Sequence, residues 1–186
     1  MSEQALTGVR ILDFSQVLAG PFATQLMAQL GAQVIKVEQP VGGDMTRGLM
    51  SASSDGMAPS FLAANLGKRS LTLDLKNPKA KEIVHKLVAE ADVLVENFKP
   101  GTIERLGFGF DAMKAIKPDL VYASISGFGQ TGPRANLPAF DGAIQAYSGM
   151  MSISGHAETG PVRSGYFSVD MSTALNAAFA ITAALL

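Results

Sequence analysis

Along this chain the spacing of apolar positions switches repeatedly between two periods. VRILDF (9–14), QVIKVE (33–38), SLTLDL (70–75), DVLVEN (92–97) and LVYASIS (120–126) are short and rich in β-branched residues, the pattern of strands. Between them the period lengthens. PFATQLMAQLGA (21–32) has a proline suited to a first helical position and Gly31 near its end. PKAKEIVHKLVAEA (78–91) places Ile83, Leu87 and Ala91 on one face and charges on the other. Strand and helix in alternation predict an α/β fold with a parallel sheet and crossover helices. Short, mostly apolar strands predict helices on both faces of that sheet. VGGDMTRGLMSASSDGMAP (41–59) reads as one long Gly/Ser-rich loop, of a length that is usually functional or mobile. After residue 126 the pattern loosens: SGFGQTGPRANLPAF (126–140) is loop-like, DGAIQAYSGMM (141–151) a short helix, and SISGHAETGPVRSG (152–165) another loop. The chain closes on YFSVDMSTALNAAFAITAALL (166–186), an apolar, alanine-rich helix with Asp170 as its one charge.

Composition narrows the picture. A length of 186 residues suits one domain with a real core. A net charge of −1, from 15 basic and 16 acidic residues, gives no electrostatic reason to expect nucleic acid or an anionic membrane as a partner. There is no cysteine, which excludes disulfides and cysteine-based metal sites. The N-terminal MSEQALTGVR lacks a signal-peptide layout, and no apolar run of about 18 residues is uninterrupted, so a soluble, cytoplasmic protein is expected. Charged residues are 17% of the chain, below the roughly 25% of ordinary domains. The final helix also has no glycine stop or basic last turn. Both features predict a surface covered by a partner subunit or by a further C-terminal part.

Several motifs bear on chemistry. GFGQTG (127–132) matches G-x-G-x-x-G after a strand, but Pro133 and Pro138 oppose a following helix and no acidic strand end lies about twenty residues on, so a dinucleotide site is disfavoured. GFGFDA (107–112) reads as a loop between short helices. His85 sits among helical charges and His156 in a loop, neither with a second ligand at metal spacing. No G-x-S-x-G elbow is present. The predicted strand ends at Asp13-Phe14-Ser15, Glu38-Gln39-Pro40, Leu73 to Lys76 and Glu96 to Gly101 form a polar rim suited to a phosphorylated ligand. Lys68, Arg69, Lys76, Lys99 and Arg105 are candidates for its positive charge. Taken alone, Asp170 fits either a helix N-cap, where aspartate is preferred, or a reactive carboxylate.

LDFSQVLAGP (12–21), LGAQVIKVEQPVGGDMTRG (30–48), KRSLTLDLK (68–76), ADVLVENFKPG (91–101), LGFGFD (106–111) and SISGFGQTGP (124–133) together resemble the family III coenzyme A transferases, the CaiB/BaiF family, and fall in that family's order. The group includes formyl-CoA:oxalate CoA-transferase-like enzymes and α-methylacyl-CoA racemases. The resemblance implies a Rossmann-like CoA-binding domain over 1–186 that ends in a crossover helix (170–186). It implies a further C-terminal domain absent from this chain, since members run to roughly twice this length, and an interlocked homodimer.

The resemblance also implies that Asp170 is the catalytic nucleophile. It attacks the thioester of an acyl-CoA and passes through an anhydride to an aspartyl-CoA thioester, from which CoA moves to a small carboxylic acid. The N-terminus of the last helix is expected to hold the carboxylate ionised and to offer N–H groups to developing oxyanions. No metal is implied.

For coenzyme A, the positions that match the family pattern are Leu18, Ala19, Gln39, Leu73, Leu75, Lys76, Asn97, Phe98 and Arg105. Gln39 and Pro138 stand where the oxalate enzymes have an arginine and a lysine, and Leu18 where they have a glutamine. In the racemase branch a histidine occupies the position of Phe140. A phenyl ring cannot abstract a proton, so transfer is favoured over racemisation, with a non-catalytic CoA-binding module as the remaining alternative.

Overall fold

A computed structural model of the chain describes residues 4–49 and 57–186; the centre of the loop read at 41–59 lies outside the described residues. Five strands, β1 (Arg10–Asp13), β2 (Gln33–Glu38), β3 (Arg69–Thr72), β4 (Val93–Glu96) and β5 (Val121–Ser124), pair in parallel in the order β3-β2-β1-β4-β5. Leu12 of β1 lies in register between Ile35 of β2 and Leu94 of β4. Strand order reverses between β1 and β4, which opens a crevice at their carboxyl ends.

Side chains on the central strands alternate between the two faces. Leu12, Val37 and Leu94 face α3 (Pro78–Glu90) and α5 (Phe110–Ile116), in a cluster with Phe14, Val84, Val88, Phe108 and Met113. Ile11, Val34, Val93 and Val95 face the other way, towards Met27 of α1 (Ala19–Gln29) and Ile181 of α7 (Ser168–Leu185). The remaining helices are α2 (Pro59–Asn65), α4 (Thr102–Arg105) and α6 (Asp141–Tyr147).

The elements depart from the sequence reading in several places. Helix α2 begins at Pro59, the last residue of the stretch read as a loop, and continues through residues to which the pattern assigns no element; Phe61 and Ala64 are buried. The buried stripe of α3 is Ala80, Val84 and Val88, while Ile83 is exposed. The two stripes lie side by side on the helix, and Ala80, Val84 and Val88 take the sheet-facing one. Cover over the sheet is incomplete at its edge, since Arg69, Ser70 and Thr72 of β3 are exposed. Helix α1 begins at Ala19, two residues before Pro21. Glycine is needed at position 20, because a Cβ there would lie 2.3 Å from Ser15 Cβ.

Helix α7 is, by length and composition alone, apolar enough to cross a membrane. Only 17% of it is buried within the described residues. Here Ala174 and Ile181 are buried in packing against α1 and β5.

The loop from β1 to α1 is pinned from below by buried charges. Asp13 receives Lys68 Nζ at 2.9 Å and the hydroxyl of Thr24 at 2.7 Å, and also accepts from the hydroxyl and the backbone N–H of Ser15. Lys68 Nζ donates as well to Pro21 O and to Asn65 Oδ1. Lys36 Nζ donates to Ser15 O at 2.6 Å and pairs with Asp44 at 2.9 Å, and Asp44 in turn accepts from Val17 N. Burial would raise the pKa of Asp13, but Lys68, Lys36 and the hydroxyls of Ser15 and Thr24 outweigh it and hold the carboxyl well below its ordinary range. Burial depresses Lys68 in spite of Asp13. The expectation that Lys68 lends charge to a ligand rim is therefore corrected, since its side chain is 2% exposed and committed to three internal acceptors.

Replacing Lys68 with Met leaves Asp13 buried without its main counter-charge. A loss of about 3–5 kcal/mol is expected, measured by urea denaturation. A second expectation concerns Glu38. Burial would raise its pKa, but hydrogen bonds from Arg47, Ser70 and the Asp44 N–H lower it from 4.5 to about 2. Its contribution is therefore complete above pH 4.5 and is lost as pH falls toward about 2. Denaturation midpoints of Glu38→Gln and the parent should converge over that window.

Candidate active site

The crevice at the switch point continues into a cavity of about 400 Å³. Five segments build its wall: Ala19 at the start of α1, Asn97 to Pro100 after β4, Ile125 to Gly127 after β5, the stretch from Ala135 to Asp141, and Val169, Asp170 and Thr173 of α7. The volume lies in the range of small-molecule sites.

Asn97 locks the two central strand ends together. Its Oδ1 accepts from Gln16 N and its Nδ2 donates to Gln16 O, both at 2.7 Å. Both ends of the amide are thus spent on backbone. Val17, beside it, sits at φ 70, a region that β-branched residues rarely adopt. Gly127 is required for a close approach, since a Cβ there would stand 2.0 Å from Ala139 Cβ. This explains the first glycine of GFGQTG by packing. Gly129 and Gly132 serve turns at positive φ, and no helix follows until α6 at Asp141.

Asp170 is the third residue of α7, not its N-cap; that place belongs to Phe167, which makes no side-chain cap. The capping carboxylate comes from elsewhere. Asp141, the first residue of α6, accepts from Val169 N at 2.8 Å and from Asp170 N at 3.3 Å through Oδ2. Its other oxygen accepts from Gln145 Nε2. Ser168 N and Met171 N are taken by Tyr166 O and Phe167 O. The first turn of α7 therefore has no N–H left to stabilise an oxyanion, contrary to expectation. The same geometry reverses the expected electrostatics. Burial, and then the charge of Asp141, push Asp170 up from 3.8 to about 6. Among the described residues, the Asp170 carboxylate accepts no hydrogen bond.

The residues named from sequence divide into three sets. Ala19, Asn97, Phe98 and Asp170 line this cavity, with Leu18 directly before α1. Leu73 and Leu75 lie outside the cavity wall and pack with Phe98 against the α3-side core. Gln39, Lys76 and Arg105 are exposed and make only local contacts: Gln39 to Gly43 O, Lys76 N to Asp74, and Arg105 to Thr102. Sequence reasoning marks Asp141 only as a neighbour of Phe140 and gives Gln145 no role. They bond to each other along α6, but the contacts that give them a role at the cavity are to α7 and the loop before it. Among the described residues, no group of three or more His, Cys, Asp or Glu side chains is placed to hold a metal ion.

The family model "CoA-transferase family III" matches residues 6–186. A succinate–glutarate CoA-transferase of Agrobacterium fabrum is 41% identical over 187 residues, covering 97% of this chain and 47% of that protein. A formyl-CoA:oxalate CoA-transferase of Bradyrhizobium diazoefficiens is 44% identical over 182 residues, covering 98% of this chain and 43% of that protein. The crystal structure of a CaiB/BaiF family protein from Brucella suis superposes with a TM-score of 0.94 at 40% identity, over 99% of this chain and 50% of that one. The chain thus spans somewhat under half the length of these curated relatives.

Proposed function

This chain belongs to CoA-transferase family III, and from that premise we propose that it is the CoA-binding, N-terminal part of an enzyme that moves coenzyme A from an acyl-CoA to a small carboxylic acid, with Asp170 as nucleophile. The observation that carries the reading is the carboxylate itself. Asp170 lines the cavity, half-buried, with no internal hydrogen bond and a pKa raised to about 6. At pH 7 such a group is ionised about ten to one, yet more basic than an ordinary aspartate. A nucleophile needs both properties.

The reaction proceeds in balanced steps. An Asp170 oxygen bonds to the thioester carbon, the C–S bond breaks, and CoA leaves as thiolate. The thiolate attacks the Asp170 carboxyl carbon, forming the aspartyl-CoA thioester and releasing the donor acid as its carboxylate. An acceptor carboxylate then attacks the same carbon and expels the thiolate, which takes the acceptor's acyl carbon and frees Asp170. Each intermediate is open to hydrolysis, so the cavity must be kept dry. The apolar wall from Ala135 to Phe140 serves that need. Phe140, 68% exposed at this wall, offers no proton-transfer group where the racemase branch has its histidine.

The acyl-CoA lies along the crevice from the α1 N-terminus toward Leu73 and Leu75, with Lys76 and Arg105 at its exposed, phosphate-bearing end. Gln39, just past the end of β2, borders the same run. A homodimer in the cytoplasm completes the proposal. The exposed Leu175 and Phe179 of α7, with Tyr147, Ile153 and Tyr166, fit cover of this face by a partner subunit or by a further part of the protein.

In the full-length protein, Asp170→Ala should lower CoA transfer from succinyl-CoA to a panel of dicarboxylates by at least ~10³-fold while acyl-CoA still binds. Hydroxylamine trapping of the parent with succinyl-CoA should leave a hydroxamate on Asp170 by peptide mass spectrometry. Undiminished transfer by the alanine variant would end the proposal.

A further inference from the structure

We propose that Asp141 is a positioning residue for Asp170: it takes the first-turn N–H donors of α7 for itself and leaves the neighbouring carboxylate facing the cavity with no donor of its own. The inference rests on the reading of Asp170 as nucleophile.

The arrangement is built, not incidental. Asp141 is 4% exposed and Gln145 fully buried, so neither side chain is held by solvent. Gln145 gives its Nε2–H to Asp141 Oδ1 and receives Ser164 N on Oε1 at 2.9 Å. The hydroxyl of Ser164 donates to Tyr166 O and lies 2.9 Å from that of Ser168. One hydrogen-bonded chain thus runs from α6 through the loop at 164 into the first turn of α7. It fixes where the Asp170 side chain leaves the helix.

Charge adds a second effect. An anion at a helix N-terminus is favoured, and α7 grants that place to Asp141. Asp170 is then a carboxylate beside a carboxylate, without compensating donors. Other charges near it are few. Helix α1 has none between Ala19 and Gln29; α6 has the charge of Asp141 and the titratable Tyr147, and β5 has no charge but the titratable Tyr122. The loop after β4 brings Lys99, which is exposed, and the exposed Arg163 lies against Gly142, the residue after Asp141. When Asp170 becomes an anhydride or thioester its charge disappears, and with it the repulsion from Asp141. Asp141 therefore raises the free carboxylate relative to the covalent states and favours accumulation of the aspartyl intermediate.

The test uses the full-length protein and two variants. In Asp141→Asn the amide keeps an acceptor for the α7 N–H groups but loses the charge, and its NH2 group opposes Gln145. In Asp141→Asn with Gln145→Glu, the new carboxylate at position 145 accepts both from the amide at position 141 and from Ser164 N, so the hydrogen-bonded chain is restored with the charge moved one turn along α6. Two quantities are read: the pH profile of kcat/KM for CoA transfer, and the fraction of enzyme carrying the covalent adduct at saturating acyl-CoA.

For the parent, the acid limb should lie near pH 6, the value to which Asp170 is raised. Removing a negative neighbour lowers the pKa of Asp170, so the limb of Asp141→Asn should move toward more acidic pH, kcat should fall about 10- to 100-fold, and the adduct fraction should drop. The double variant should recover the melting temperature, with a limb still below that of the parent. If Asp141→Asn does not fold, the double variant carries the test alone. A limb and adduct fraction unchanged from the parent in whichever variant folds would overturn the inference and leave Asp141 a purely structural cap. Failure of the nucleophile reading itself shows separately, as transfer by Asp170→Ala or a hydroxamate absent from Asp170.

Discussion

Two buried lysines hold the carboxyl ends of the central strands in place. Lys68 on Asp13 and Lys36 on Asp44 form ion pairs at 2.9 Å with side chains at most 2% exposed. Neither pair stands alone. Each lysine also binds a backbone carbonyl, Pro21 O or Ser15 O, and each carboxylate also accepts a backbone N–H, of Ser15 or of Val17 and Thr46. Such a network recovers the desolvation of its charges only when every donor and acceptor is used, and among the described residues no buried side-chain polar atom is left without a partner. Its structural product is the β1–α1 loop, held from below at Ser15 and Val17. That restraint keeps Val17 at φ 70 and leads the chain into α1 beside the cavity.

This constraint also explains what is legible in the sequence. The apolar runs mark all five strands, and β2 matches residue for residue, because it is buried along most of its length and its hydrophobic pattern has one interpretation. The pattern finds helix α3 and rightly turns Leu87 and Ala91 to the core, but it misplaces Ile83 and passes over Ala80, Val84 and Val88. Ile83 and Val84 are adjacent, so two overlapping stripes compete and only the packed core chooses between them. Helix α2 escapes the pattern because seven residues carry too little periodicity. Strand-end carboxylates read as a ligand rim because that is where ligands bind. Asp13, Glu38 and Glu96 are instead buried and bind the protein's own loops. Sequence position tells that a polar group sits at a strand end. It does not tell whether a lysine from 55 residues away has already claimed it.

The same limit applies to Asp170, which looks in the sequence like a solitary charge. Its electrostatic surroundings are set by Asp141, which lies 29 positions earlier and shares no helical or strand period with it. Two helices with their amino ends at one cavity would ordinarily make an anion-stabilising site. Here Asp141 occupies the stronger of these positions and turns a stabilising environment into a demanding one. Helix geometry alone therefore predicts the wrong sign for the pKa shift.

Assembly and chemistry converge on the same elements. Helix α7 carries Asp170 on its first turn and the exposed Leu175 and Phe179 on later turns. Helix α6 carries Asp141 at its start and the exposed Tyr147 at its end. Whatever removes those apolar side chains from water must come within a few turns of the Asp170 carboxylate. Covering them dehydrates its neighbourhood, and lower polarity there strengthens the Asp141–Asp170 repulsion as well as excluding hydrolytic water. The proposed route through an aspartyl intermediate would need both effects together. The position of Asp170 at the start of an incompletely covered helix would make them a single consequence of burial.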